Sequence, residues 1–470
     1  MHGGFAMLCA GAIRTKNTMN ILLQTILDAC VSAIAFYICG YGFAYGGYWT
    51  SNQTYSVPPN SVIGTSLFGL SNYASENYNN QNVNGQVYSV HWQDFVFQWA
   101  FAATATTIPA GCVAERCNFN AYLAYAFFIS AWVYPIIVHW VWSAYGWMGY
   151  GRAVTPHLLN CGYIDFAGSG VVHMVGGFSG MWGCILMGPR MGRFDSNGKP
   201  VDMPGHSPTL VVLGTVLLWF GWYGFNPGSQ IFVNSVAGAQ VVGRAAVTTT
   251  LAGAAGGLAG LIWGYSKHRS WDLLGVCNGV LCGFVAITAG CHVLEPWAAI
   301  IDGAVASVVF ELVCIWFLKL KIDDPLSAAP MHGFAGMWGL LCVGFLAKSE
   351  YVFQEYAGNH PDSTGNLYNQ AAYPYGAFYP GGGGRLLASQ IIGICCICGW
   401  VAANMIPFFY VLKLFNSLRI SAEEEAMGLD VSKHGGSAYQ PENQKVIEPY
   451  PDNGMPGPVG LTNKALPGIE

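Results

Sequence analysis

Residues 165–183 read DFAGSGVVHMVGGFSGMWG, and an imperfect copy, DPLSAAPMHGFAGMWG, returns at residues 324–339. Each copy sets a histidine eight positions after an aspartate: Asp165 then His173, and Asp324 then His332. Each also carries the string GF-S/A-GMWG, starting at Gly177 and Gly333. The strings are thus offset by 333 − 177 = 156 residues and the histidines by 332 − 173 = 159. The mismatch of 159 − 156 = 3 residues is less than one helical turn. Because the match covers particular residues and not glycines alone, it argues for a duplicated unit over chance similarity between glycine-rich helices.

Composition decides the medium in which the two copies fold. Of 470 residues, 53% are hydrophobic and 9% charged, which excludes a string of soluble domains and gives an all-α polytopic membrane protein. The net charge of −5 and the scatter of charges through short connecting segments leave no basic face for nucleic acid. The 15 cysteines show no zinc-ligand spacing, and neither a metal nor a cofactor is expected.

Apolar runs that read as spans cover residues 21–45, 92–113, 121–147, 168–188, 209–232, 245–265, 275–290, 297–318, 331–347 and 386–411. Ahead of them stands a short stub, residues 1–13, without the basic flank of a signal peptide; it reads as the second half of a truncated first helix. Residues 1–411 therefore form a membrane domain of half a helix plus ten spans, and residues 412–470 a tail, expected to be disordered beyond about 440. The polar stretch 48–91 reads as an external loop, with a glycosylation pattern at Asn52.

Lysine and arginine alternate with the spans. Arg14 and Lys16, Arg116, Arg190 with Arg193 and Lys199, Lys267 with Arg269, Lys319 with Lys321, and Lys413 with Arg419 fall on one side; the other side holds Arg152, Arg244, Lys348 and Arg385. The richer side is expected to be cytoplasmic, together with the carboxyl tail. On this map the two copies enter the membrane from opposite faces, as inverted repeats do. His173 and His332 then lie roughly 12 Å in from their aspartates and meet near mid-membrane.

Ionisable residues inside a bilayer are functional candidates because each is costly there. Two neutral imidazoles can satisfy each other with one hydrogen bond, and can also accept and pass on a proton; the competing reading is a polar contact that only ties helices together. His139, His292, His91, His157, His206, His268, His360 and His434 read as structural or solvated. Asp165 and Asp324 stand where a carboxylate caps helix amides, and Asp165 has the better claim to act on a cation electrostatically. The aromatic strings FQWAF (97–101), WVW (140–142) and WFGWYGFNPGS (219–229) each end where glycine, serine or proline breaks the helix. Rings at such a point can hold a small cation by cation–π attraction, although any single ring is more often packing or lipid-facing.

The motifs AERCNF (114–119), WYGFNPGS (222–229), DFAGSGVVHMVGG and DDPLSAAPMHGFAGMWG together resemble the Amt/Mep/Rh ammonium transporter superfamily, from Gly4 to about Tyr439. The tail string LRISAEEEAMGLDVSKHGG is similar to the plant-type Amt branch. The resemblance implies a fold of inverted five-helix repeats plus a last helix, and a non-enzymatic homotrimer with one pore per subunit. It implies an outer recruitment site at Phe101, Trp142 and Ser229, a gate of Phe101 on Phe225, pore residues His173, His332 and Trp222, and an outer helix-mouth aspartate at Asp165.

Ammonium matches potassium in size, and no string here resembles a potassium filter. A bare cation pays several kcal/mol to enter an apolar constriction. Ammonium avoids that cost by leaving its proton behind. The expected function is thus a plasma-membrane ammonium transporter for nitrogen uptake, with methylammonium as an analogue; it recruits the cation, deprotonates it and conducts ammonia past the histidines. The residues alone leave open whether the proton follows, and the resemblance implies net cation movement. Ser432 stands where the plant-type branch carries a phosphorylatable residue, so a kinase is an expected partner. A sensor that binds ammonium with little flux is the alternative; a membrane enzyme lacks an accompanying nucleophile or metal constellation.

Overall fold

The computed structural model describes residues 1–47, 60–71, 82–83, 86–87, 92–151, 157–231, 233–356 and 373–439. Asn52, His91, His360 and the tail beyond residue 439 lie outside the described residues. Among the described residues the secondary structure is helical except for a two-residue pairing of 82–83 with 86–87 and isolated bridges.

The helices in order are α1 His2–Ala12, α2 Thr18–Ala35, α3 Tyr41–Tyr45, α4 Trp92–Val113, α5 Phe119–Phe128, α6 Tyr134–Trp142, α7 Val175–Met187 and α8 Pro208–Phe225. They continue with α9 Val236–His268, α10 Leu273–Ile287, α11 Pro296–Lys319, α12 Ala335–Leu346, α13 Ser349–Tyr356, α14 Arg385–Leu414, α15 Ala422–Met427 and α16 Leu429–His434. Four π-helical turns interrupt or open spans: Phe36–Gly40, Ile129–Val133, Ser169–Met174 and Ala329–Phe334. The last two hold His173 and His332, and wide turns of this kind recur at functional positions because they re-aim side chains.

Eight stretches are long and apolar enough to cross a membrane among the described residues. Two of the ten spans read from sequence fall short of that standard: α10 is 15 residues long and so too short, and α4 is too polar, which its position explains. From Phe101 to Val113 every residue of α4 is buried, threonines included, and α10 is buried throughout its second half. Helices surrounded by protein need not resemble lipid. Span limits also move: residues 121–147 form a helix that ends at Trp142, residues 275–290 one that ends at Ile287, and residues 386–411 lie within a helix that runs to Leu414.

The duplicated segments cross antiparallel. A methyl added to Gly336 would meet the Ser169 carbonyl at 2.6 Å. The two histidines, each further into its own segment in the opposite sense, lie side by side. The equivalent relation holds between α1 and α8, where Gly4 faces Leu218 and Gly11 faces Val211. Small residues at such crossings let backbones approach and gain dispersion contacts that lipid cannot replace. The last span, α14, packs against α7 and α12, the two repeat-related helices.

One end of the bundle is bound by charge. Glu115 accepts from the Arg14 backbone at 2.8 Å and pairs with the Arg14 and Arg190 guanidiniums. Asp323 accepts from Arg190 through its backbone N–H at 2.9 Å and its Nε at 2.8 Å. All of these residues belong to the connections that the lysine and arginine pattern places together.

Candidate functional site

Asp165 shows how the chain prepares the site locally. Its carboxylate accepts from the backbone N–H groups of Gly168 at 3.1 Å, Gly170 at 2.8 Å and Val171 at 2.9 Å. Those amides converge because Gly168 sits at φ +103°, a left-handed conformation that a side chain resists; a Cβ there would also strike the Val172 side chain and crowd Trp142. Asp324 does the same at the other end, accepting from Ala328 at 3.1 Å and Ala329 at 2.8 Å. Each aspartate thereby fixes the start of a π-helical turn, and the turn aims its histidine inward.

On the Asp165 side a cavity of 310 Å³ is lined by Phe97, Phe101, Trp142 and Ser229, with Asp94 and two tyrosines at its wall. Phe101 meets Trp142 edge to face, with ring centroids 5.7 Å apart. Below them Phe101 and Phe225 stack at 4.0 Å and 17°, closing the floor. Ser229 donates its hydroxyl proton to the Phe225 carbonyl at 2.7 Å, which leaves the oxygen's lone pairs to accept from another donor. Trp142 is held by Nε1 donating to the Asp165 carbonyl at 2.7 Å. Asp165 does not itself line the cavity: its carboxylate is committed to backbone amides, and it reaches the site through Trp142.

Beneath the stacked rings, His173 lies 5.6 Å from Phe225 between centroids and stacks on Trp222 at 5.4 Å. Trp222 is fully buried, and its Nε1 donates to Thr288 Oγ1 at 3.0 Å, so its face is fixed against the imidazole. His173 Nδ1 and His332 Nδ1 are 3.2 Å apart, with nearly parallel rings. One Nδ1 must carry a proton and the other must not, so the pair holds a single shared proton between its facing nitrogens. His332 in turn borders a second cavity of 220 Å³ at the arginine-rich end, lined also by Phe5, Thr107, Asn278 and Ser327. Vestibule, phenylalanine stack, histidine pair and inner cavity follow one another in a line.

The residues named from sequence thus divide plainly. Phe101, Trp142 and Ser229 share one cavity, Phe225 closes it, and Trp222, His173 and His332 lie below. Ser432 is remote, in the tail. Sequence reasoning missed Asp94, whose only signal was an acidic residue two places after the Trp92 that opens a span, and it missed the inner-cavity residues Thr107 and Asn278, which have no distinguishing pattern. His139 bridges the carbonyls of Ala44 and Asn60, and His292 stacks on Phe166 and pairs with the Tyr356 hydroxyl, so neither lies in the line.

The tail folds back on the arginine-rich end. Asp430 accepts from the backbone N–H groups of Met19 and Asn20, both at 2.9 Å, and so caps the start of α2 from a distant part of the chain. His434 bonds Asn20 at 2.9 Å, Lys433 pairs with Glu424, and the Ser432 hydroxyl donates to Gly428 at 2.8 Å.

Comparison with known proteins adds the following. The model of the Ammonium Transporter Family matches residues 1–439. Ammonium transporter 1 member 1 of Arabidopsis thaliana is 47% identical over 453 residues, covering 94% of this chain and 84% of that protein. Ammonium transporter 1 member 1 of Oryza sativa subsp. japonica is 46% identical over 441 residues, covering 92% and 81%. Among solved structures, one titled a sensor Amt protein aligns with a TM-score of 0.75 at 30% identity, over 92% of this chain and 94% of that one. Mep2 of Saccharomyces cerevisiae aligns at 0.71 and 26%, over 90% and 84%.

Proposed function

This chain belongs to the Ammonium Transporter Family, on its plant-type Amt branch, and we propose that it carries ammonium by stripping the proton at the phenylalanine stack and passing ammonia along the histidine pair. The cation is recruited between Phe101 and Trp142, whose ring faces offer about 0.5–2 kcal/mol of cation–π attraction. Ser229 accepts one of its N–H groups, and Asp94 adds a negative field over the mouth. Phe101 on Phe225 admits no hydrated ion. Potassium has no proton to lose and is rejected there by its desolvation cost.

Ammonia, once neutral, passes Phe225, hydrogen-bonds along His173 and His332, and regains a proton in the inner cavity. Trp222 keeps the His173 ring in plane with the path. Net cation movement follows if the proton travels separately by the shared Nδ1–Nδ1 bond. The single observation that carries this reading is the stack at 4.0 Å standing directly over a histidine pair at 3.2 Å.

The same reading places the chain in the plasma membrane as a homotrimer with a pore in each subunit, its tail in the cytoplasm. There a kinase acting on Ser432 would add negative charge two residues from Asp430, weakening the cap on α2 and releasing the tail. The resemblance to a structure titled a sensor Amt protein supports a second reading, ammonium sensing with little flux. Uptake of labelled methylammonium in transporter-deficient cells, with potassium as competitor, separates the two. Accumulation well above background supports conduction; saturable binding without accumulation supports the sensor.

A further inference from the structure

Asp28 lies in the middle of α2, roughly 15 Å along the helix from Thr18, and is fully buried. A carboxylate at that depth costs ~3 kcal/mol, so its retention calls for an explanation beyond the pathway described above. One of its oxygens, Oδ2, accepts a short hydrogen bond from the Thr107 hydroxyl. The other, Oδ1, has no partner in hydrogen-bonding geometry among the described residues. Thr107 also meets His2 Nε2 at 2.7 Å and the Ala103 carbonyl at 3.0 Å. A hydroxyl has one proton, and the nearest acceptor is Asp28, so His2 Nε2–H is the donor to Thr107. The direction of the chain is therefore imidazole to hydroxyl to carboxylate.

Thr107 borders the inner cavity whose other wall is His332. The hydroxyl thus links the cavity, where the conducted proton must reappear, with a carboxylate sealed behind α4. We propose that Asp28, reached through Thr107, is the proton-accepting site of the inner cavity. This rests on the conduction reading above. A proton arriving from the cavity binds the free lone pair of Thr107 Oγ1 as the hydroxyl's own proton moves to Asp28 Oδ2. One O–H bond forms on threonine, one breaks, and one forms on the carboxylate, which becomes a neutral acid. The reverse sequence returns the proton. His2 Nε2–H keeps the threonine oriented toward Asp28. The other ionisable groups near the carboxylate are Cys9 on α1 and Tyr122 and Tyr125 on α5.

A purely structural role, with Asp28 tying α1, α2 and α4 together, predicts altered expression but an unchanged ratio of charge to substrate. The test measures current and labelled methylammonium uptake together in the full chain. Thr107→Val, which keeps volume but has no hydroxyl, is expected to move at least fivefold less charge per substrate than the parent, while Thr107→Ser stays near the parent ratio. Equal ratios in all three overturn the proposal. A parent that transports without charge also overturns it and leaves conduction standing, whereas a parent that shows no uptake sinks the conduction reading itself. Infrared difference spectra of the parent in liposomes, ammonium against potassium, give a second readout that needs no variant. A change in the carbonyl stretch of a protonated buried carboxyl is expected, lost in Asp28→Asn; its absence in the parent overturns the site.

Discussion

Gly177 and Gly333, the first glycines of the two GF-S/A-GMWG strings, press against each other: a Cβ on Gly177 would lie 2.8 Å from the Gly333 Cα. The duplicated string thus makes its own crossing point, a few residues beyond His173 and immediately after His332. A Gly177→Ala chain must spread this crossing, and overpacking of this kind costs about 1–3 kcal/mol. The histidine bond, already 3.2 Å, lengthens with it. Methylammonium uptake per surface molecule is expected to fall about tenfold, equivalent to ~1.4 kcal/mol of barrier. Uptake within twofold of the parent would show that the crossing does not set the histidine geometry.

Replacing His173 with alanine removes the partner of His332 Nδ1, the stacking face for Trp222 and the polar group beneath Phe225. Methylammonium-dependent current should drop by about tenfold or more, or change its selectivity against potassium. Currents of unchanged size with unchanged potassium rejection would take the histidine pair out of the mechanism.

How much of this was legible before the structure depended on whether the signal was local. The repeat, the inversion and the two histidines could be read because identical residue types recur at fixed spacing. The buried helices α4 and α10 were found as spans, although α4 is less apolar and α10 shorter than a lipid-facing span. Asp94, Thr107 and Asn278 were not found, because a residue becomes part of a cavity wall only when distant helices close around it. The π-helical turns were equally hidden: nothing in SGVVHM or APMHGF distinguishes a wide turn from an ordinary one until an aspartate takes amides three to six residues downstream of it.

Asp94 stands at the wall of the outer cavity with the recruitment rings. On the proposed reading its charge attracts a cation to the rings, and such an effect is screened by salt. Asp94→Asn should raise the half-saturating methylammonium concentration about threefold, ~0.7 kcal/mol, with the maximal rate unchanged. The difference between variant and parent should shrink at high ionic strength. An unaltered half-saturation at low salt would exclude the electrostatic role.

Ser432 faces Gly428 within the same short helical turn that presents Asp430 to the start of α2. A negative group at Ser432 lies two residues from that carboxylate in the same turn and repels it. Ser432→Asp is expected to lower uptake at least fivefold at equal surface amount, and Ser432→Ala to leave it within about twofold. Limited proteolysis should cut the tail of the aspartate variant sooner. Uptake and cleavage identical in the two variants would remove the tail as a switch.

Asp323 and Arg190 tie the second repeat to the connection that follows α7, and the pH dependence of that bond has a definite sign. Burial alone pushes the Asp323 carboxyl up, but hydrogen bonds and charge from Arg190, with the Arg116 charge beside them, bring it down to about 2. A carboxyl lowered on folding stabilises the folded state fully above its unfolded value of about 3.9, and the contribution disappears as pH falls through the folded value. The shift corresponds to about 2 kcal/mol, lost between about pH 4 and pH 2. Asp323→Asn forfeits this above about pH 4 and removes the carboxylate partner of Arg190 and Arg193, leaving Arg190 with Glu115 alone, a loss of ~3–5 kcal/mol for a buried pair. In detergent, the variant's unfolding midpoint should therefore lie well below the parent's at pH 7, with the gap narrowing as pH is lowered from about 4 toward 2. A gap that stays constant across that range would show that Asp323 holds the loops by hydrogen bonds alone, without the charge.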